Sequence, residues 1–203
     1  MAELPDKAEG ALKLGAASPN WNLPNALSII RILLTPPAIV LLVRDTVSTN
    51  IAAALVMAAC GLTDMMDGRI ARGRGIVTRV GVFLDPLADK VYIGGALITL
   101  AAMGRISPWV PALILFRELG ITLFRVYAES HGVSVPASIL GKLKANVQLL
   151  AILFSILDYH IGSSLILPQL LMWVAVAVTL ISGADYLLKS RKILAQSPHG
   201  ENS

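Results

Sequence analysis

The chain is divided into long apolar blocks separated by short polar stretches. Six blocks stand out, at about Ala26–Val43, Ile51–Ile70, Val80–Met103, Trp109–Ala128, Lys142–Tyr159 and Leu165–Leu188. Each approaches the roughly 20 apolar residues that an α-helix needs to cross a bilayer. The stretches between them carry turn chemistry: Arg44, Asp45, Thr46 and Ser48–Asn50; Gly73 and Gly75 among arginines; Gly104–Pro108; and a longer loop, Glu129–Gly141, with His131, Gly132 and Pro136. Pro24, in Asn22-Leu23-Pro24-Asn25, suits the first turn of a helix, and the pair Pro36-Pro37 predicts a bend in the first span. Trp21, Trp109 and Tyr159 fall at block ends, where membrane-interface anchors sit. The pattern predicts an all-α integral membrane bundle of six transmembrane helices over residues 21–190. A flexible or interfacial N-terminal arm precedes it over 1–20, with a short amphipathic piece at Ala11–Ala17, and a disordered tail follows over 191–203.

Composition points the same way. Of 203 residues, 55% are hydrophobic and only 15% charged, against roughly 25% charged in soluble domains. The mean hydropathy is +0.70. The single cysteine, Cys60, lies inside an apolar block, reads as a small packing residue and excludes a disulfide framework. The first 20 residues are mixed and polar, so no secretory signal is expected there. The 17 Lys and Arg residues sit at span ends, which favours anionic lipid or a phosphorylated substrate over nucleic acid. Six spans place both termini and the 2–3 and 4–5 loops on one side. The opposite turns hold only Arg44 and Arg105. The positive-inside rule then predicts a multi-pass cell (inner) membrane protein with cytoplasmic termini.

Charge changes the picture most between Asp64 and Asp89. Asp64, Asp67, Asp85 and Asp89 fall within 26 residues of apolar sequence, in a chain with 13 acidic residues. Carboxylates at membrane depth are costly and read as functional. Asp64 and Asp67, three apart, share a helix face, as do Asp85 and Asp89, four apart, on the next helix. The two helices are expected to be antiparallel neighbours through a short loop, so both pairs can meet at one depth. Four carboxylates there need counter-charge. Oxygen-only ligands suit Mg²⁺, Mn²⁺ or Ca²⁺, and no nearby His or Cys argues for zinc. Two such ions would suit an in-line displacement at phosphorus. Gly68, Ala71 and Gly81 clear space beside the acids, and Arg72 is placed to neutralise a phosphate.

The pattern Asp64-x2-Asp67-Gly68-x2-Ala71-Arg72-x8-Gly81-x3-Asp85-x3-Asp89 resembles the signature of the CDP-alcohol phosphatidyltransferase family, with all eight specified positions matched. The resemblance implies a six-helix membrane homodimer that uses Mg²⁺ or Mn²⁺, as two ions. It implies attack of an alcohol on the phosphatidyl phosphorus of a CDP-lipid, with CMP leaving. On that resemblance Asp64, Asp67, Asp85 and Asp89 are metal ligands, and Asp89 is also the catalytic base. Gly68, Ala71, Arg72 and Gly81, with Asn25 and Ser28 of the first span, would surround the CDP group.

The acceptor alcohol must be read elsewhere. Asn22–Arg31, Arg117-Glu118-Leu119-Gly120 with Arg125, and Pro136-Ala137-Ser138-x2-Gly141-Lys142-x-Lys144 are similar to the phosphatidylglycerophosphate synthase branch of that family. Ser28 stands where that branch often has Thr, and Ala145 replaces a usual Thr. Arg117, Arg125, Lys142 and Lys144 put four positive charges near one end of the bundle, a cluster suited to a dianionic phosphate such as that of glycerol 3-phosphate. Lys142 and Lys144 could equally anchor the fifth span at the interface. Inositol 1-phosphate would also suit the cluster, phosphatidylglycerol less well. A divalent-cation transporter is the competing class, and Arg72 and the cationic fourth span argue against it. The partners expected are therefore CDP-diacylglycerol, glycerol 3-phosphate, membrane lipid and a second copy of the chain.

Overall fold

The structure is a computed structural model. It describes the backbone of residues 23–74, 79–130, 139–158 and 166–196, and the side chains of 25–63, 84, 86–128, 143–158 and 166–190. The N-terminal arm, Trp21, the 4–5 loop with His131 and Pro136–Ser138, Tyr159, His160 and residues 197–203 lie outside the described residues.

Six helices are present, and no strand occurs among the described residues: α1 (Leu23–Val43), α2 (Val47–Arg74), α3 (Arg79–Ala102), α4 (Trp109–Ser130), α5 (Ile139–Leu157) and α6 (Ile166–Gln196). Their number and order follow the apolar blocks. Two helices differ in extent from the blocks that predicted them. α2 begins four residues before Ile51, because Thr46 caps it: its Oγ1 accepts from the Thr49 amide at 3.2 Å, while Thr49 Oγ1 accepts from the Thr46 amide at 3.1 Å. α6 continues through residues 191–196, so the tail expected from 191 is helical in its first part. Pro36 and Pro37 lie inside α1 and Pro86 inside α3 without ending either helix. Each removes one amide donor, leaving the carbonyl four residues earlier without its helical partner.

α1 lies against α2 and α3. α5 packs on α6, α2 and α3, and α4 on α6 and α3. Among the described residues α2 and α3 do not pack closely on each other. They face one another across a gap flanked by α1 and α5. One described link crosses it, a hydrogen bond from the Tyr92 hydroxyl on α3 to the Met57 carbonyl on α2. A tyrosine spans what two small side chains could not.

The interior is divided by depth. Ala38 and Leu42 of α1, Ala53 and Met57 of α2, Leu97 and Leu100 of α3, Ile114 of α4, Ile152 and Ile156 of α5 and Met172 of α6 form one apolar core. In an antiparallel bundle all of these fall in the half that contains the α1–α2 and α3–α4 turns. The other half buries Asn25, Ser28, Arg31, Gln148, Thr179, Ser182 and Ser190. The outer surface remains apolar, with Leu33, Leu55, Phe116, Leu123 and Ile166 more than half exposed. α1 over Asn25–Val43 and α6 over Ile166–Ser190 are each long and apolar enough to cross a membrane.

The end away from the acidic motif is pinned by a polar clamp. Asp45 adopts φ +54°, a left-handed conformation that Asp tolerates better than most residues. Its carboxylate pairs with Arg105, which is 1% exposed, and accepts from Asn50 Nδ2 at 3.3 Å. Arg105 Nη1 also donates to the Ile156 carbonyl at 3.3 Å, near the last turn of α5. Gly104, at φ +71°, makes the turn that delivers Arg105 inward. Arg105, counted from sequence as a loop charge, is thus an internal group. Cys60 is buried in the core, as its sequence context predicts.

Candidate active site

The acidic motif occupies the last turns of α2 and the first turns of α3. Asp64 lies ten residues before the end of α2 at Arg74, and Asp89 ten residues after the start of α3 at Arg79. Asp67 and Asp85 are likewise close to matched, seven before and six after. At 1.5 Å rise per residue the two acid pairs lie at similar depth, roughly 10–15 Å from the 75–78 connection. The side chains of Asp64, Asp67, Gly68, Ala71, Arg72, Gly81 and Asp85 lie outside the described residues, as does that of Lys142.

Asp89 is described, and it lines a pocket. Arg31 comes from α1, Gly61 from α2, Asp89 and Tyr92 from α3, and Ala145, Asn146 and Leu149 from α5. The gap between α2 and α3 therefore holds the described member of the acidic set. Gly61 brings α2 against α5 here, since a Cβ at that position would collide with Leu149 Cδ2. Three residues after Gly61, Asp64 lies on nearly the same face of α2.

Asn25 and Ser28, assigned to the CDP group from sequence, are both buried on α1, at 2% and 3% exposure. Arg31 continues their face one turn deeper, is 2% exposed, and reaches the pocket that holds Asp89. Arg31 closes the Asn22–Arg31 motif, from which no role for it follows. A lone arginine eight residues into an apolar helix was the available signal, the same one that singled out Arg117. A buried guanidinium in an apolar bundle needs anionic or polar partners, and Asp89 is the described carboxylate that shares its pocket.

Of the four cations assigned to the acceptor, the structure brings two together. Arg117 on α4 and Lys144 on α5 both donate to Glu118 Oε1, Arg117 through Nη1 at 3.1 Å. Arg117 Nη2 donates to Ser182 Oγ on α6, also at 3.1 Å. Arg125, two turns further along α4, does not join them. It lies over the Tyr186 ring, 5.5 Å from its centroid, a cation–π arrangement. Tyr186 is held in turn by an edge-to-face contact with Phe124, at 6.3 Å and 87°. Sequence spacing gave Arg117 and Arg125 a nearly shared face, but roughly 12 Å of helix rise separates them. Tyr186 supplies the nearer partner. Asp185 pairs with Lys189, four residues further along α6, at 2.8 Å.

Chemically, this end of the bundle offers a carboxylate in a pocket beside a buried arginine, a polar α1 face, and a second cationic group on α4, α5 and α6. Those groups fit a phosphorylated, partly apolar ligand better than a purely apolar one.

Comparison with known proteins agrees. The CDP-alcohol phosphatidyltransferase family model matches residues 21–181. A probable phosphatidylglycerophosphate synthase of Mycobacterium tuberculosis is 38% identical over 173 residues, covering 83% of this chain and 81% of that protein. The CDP-diacylglycerol–glycerol-3-phosphate 3-phosphatidyltransferase of Bacillus subtilis is 31% identical over 192 residues, covering 87% and 99%. Among solved structures, that of Mycobacterium tuberculosis phosphatidylinositol phosphate synthase with CDP-DAG bound superposes with a TM-score of 0.62 at 21% identity, covering 97% of this chain and 95% of that one, a likeness of fold. With its eight-residue signature on facing helices and its whole bundle covered by these matches, the chain belongs to the CDP-alcohol phosphatidyltransferase family.

Proposed function

We propose that the protein transfers the phosphatidyl group of CDP-diacylglycerol to sn-glycerol 3-phosphate, releasing CMP and forming phosphatidylglycerophosphate. The observation that carries this reading is the pocket between α1, α2, α3 and α5, in which Asp89 and the buried Arg31 stand at the depth of the acidic motif. The printed names of the relatives from Mycobacterium tuberculosis and Bacillus subtilis support the choice of acceptor.

Asp64, Asp67, Asp85 and Asp89 fit a pair of Mg²⁺ or Mn²⁺ ions by their chemistry: hard oxygen donors, on two helices at matched depth, with Asp89 facing a pocket. Bound there, the ions would polarise the donor's pyrophosphate and neutralise charge on the departing CMP. The chain's own residues do the rest. Asn25 and Ser28 on α1, with Gly68, Ala71, Arg72 and Gly81, receive the CDP group. Asp89 takes the proton of the acceptor hydroxyl, whose oxygen forms a bond to the phosphatidyl phosphorus as the bond from that phosphorus to CMP breaks. Arg117 and Lys144 hold the acceptor's phosphate. Lys142 is assigned to the same group, and Arg125 to the approach.

The apolar exterior supports a multi-pass protein of the cell (inner) membrane, with all six helices crossing and a second copy of the chain covering part of that surface. Burial of Arg105 sharpens the charge asymmetry. Of the two basic residues in the end opposite the site, Arg44 alone is exposed. That asymmetry supports a cytoplasmic site.

An acceptor panel tests the reading. Purified enzyme with CDP-diacylglycerol should release CMP with glycerol 3-phosphate, and at no more than a few per cent of that rate with inositol 1-phosphate, serine or phosphatidylglycerol. Chelation with EDTA should abolish release, and Mg²⁺ or Mn²⁺ should restore it. Preference for another acceptor, or full turnover in EDTA, would overturn it.

A further inference from the structure

Glu118 is the one carboxylate in the described cationic group. Its Oε1 accepts from two cations on two helices, Arg117 and Lys144. The side chains of Arg117 and Lys144 are each 11% exposed and that of Glu118 is 19%, so the triad is largely desolvated. Such a triad is no better for stability than apolar packing of the same volume. Its geometry is nevertheless tightly set. Ser182 fixes Arg117 Nη2, and Gly183 provides the seat for the arginine stem, since a Cβ there would stand 2.8 Å from Nε and 3.2 Å from Cγ. One turn deeper, Gln148 Nε2 donates to Thr179 Oγ1 at 2.7 Å, a neutral pair that floors the group on the core side. The triad carries one net positive charge, and Arg117 Nε has no hydrogen-bond partner among the described residues. Ala145 and Asn146, which follow Lys144 on α5, already line the Asp89 pocket.

We propose that Glu118 is a positioning residue that holds Arg117 and Lys144 side by side as one cationic grip for the phosphate of the soluble acceptor. This rests on the acceptor reading above and adds to it the group that sets the grip. Two cations this close repel and would take up separate solvated rotamers if nothing bound both. A single carboxylate oxygen shared between them fixes their spacing before the phosphate arrives, leaving the surplus charge to attract it. Ser182 and Gly183 then decide where the guanidinium plane lies.

The test uses the full chain with CDP-diacylglycerol and separates the two KM values. The wild-type comparison of glycerol 3-phosphate with free glycerol comes first. Equal use of both would refute the acceptor reading itself, independently of any variant. Given phosphate dependence, Glu118→Gln should raise KM for glycerol 3-phosphate about tenfold or more, the scale of a misaligned charge-assisted contact. KM for CDP-diacylglycerol should stay within about twofold. Competitive inhibition by inorganic phosphate should weaken in the same proportion. An unchanged KM for glycerol 3-phosphate would overturn the proposal. So would a lower one, which would make Glu118 a competitor of the phosphate. A fall in melting temperature with both KM values intact would mark a purely structural tie. Should Glu118→Gln not fold, Ser182→Ala decides. It removes one tether of Arg117 and should raise the same KM about threefold without moving the other.

Discussion

Replacing Asp45 with Asn tests whether the clamp at the far end of the bundle holds the fold through its charge. The substitution keeps shape and tolerates the left-handed φ of +54°. It removes the carboxylate charge paired with Arg105, whose side chain is 1% exposed. Breaking a buried ion pair from one side costs about 3–5 kcal/mol. Two features reduce this. The Asp45 side chain is 35% exposed, so the pair was partly screened. The Asn carbonyl still accepts from Arg105, retaining about 1 kcal/mol of hydrogen bond. The remainder is about 2 kcal/mol, or about 4–8 °C in melting temperature for a chain of this length. Thermal unfolding of the purified protein in detergent measures it. Adding Arg105→Met removes the stranded charge, and the double variant should recover at least half of the loss. Turnover at low temperature should be unchanged in both, because the clamp lies at the end away from Asp89. A single variant melting within about 1 °C of wild type would refute the reasoning. A double variant less stable than the single would do so too.

Two further outcomes concern the pocket. Asp89→Asn should lower CMP release by about three orders of magnitude or more, as expected for loss of the proposed general base and metal ligand. Its helical circular dichroism should match wild type, and near-normal turnover would remove Asp89 from the mechanism. Arg31→Met, which keeps much of the volume of a residue only 2% exposed, should fold and lose about a hundredfold in kcat, the scale of a lost charge-assisted contact in a desolvated site. Arg31→Lys should recover only part of this, because a lysine lacks the guanidinium fork. A kcat for Arg31→Met within threefold of wild type would make Arg31 a packing residue.

Much of this molecule is legible in its sequence because the bilayer imposes a simple rule: long apolar blocks must be helices. Six blocks became six helices, and the eight-position signature located the acidic pairs on two of them. What the pattern does not encode is which helices touch. α1 and α5 each pack on both α2 and α3, and Tyr92 bridges the two directly. Helix ends also escaped where local polar chemistry rather than hydropathy sets them, as with Thr46 and Thr49 at the start of α2. Side-chain pairing across helices is the other hidden layer. Arg117 and Arg125 look alike in sequence, but Ser182 and Glu118 bind one while Tyr186 takes the other. Arg105 looks like a loop charge until Asp45 is seen beside it.

The division of the interior by depth separates the part that holds the fold from the part that serves the site. The apolar core and the Asp45–Arg105–Ile156 clamp join one end. At the other end the described helices meet through polar contacts, the Arg117–Glu118–Lys144 group and the Gln148–Thr179 pair among them, and through the Asp89 pocket. On the proposed function, a two-tailed lipid donor enters such a site sideways and leaves as a different lipid. Exchange of one lipid for another at that end leaves the contacts that hold the fold untouched.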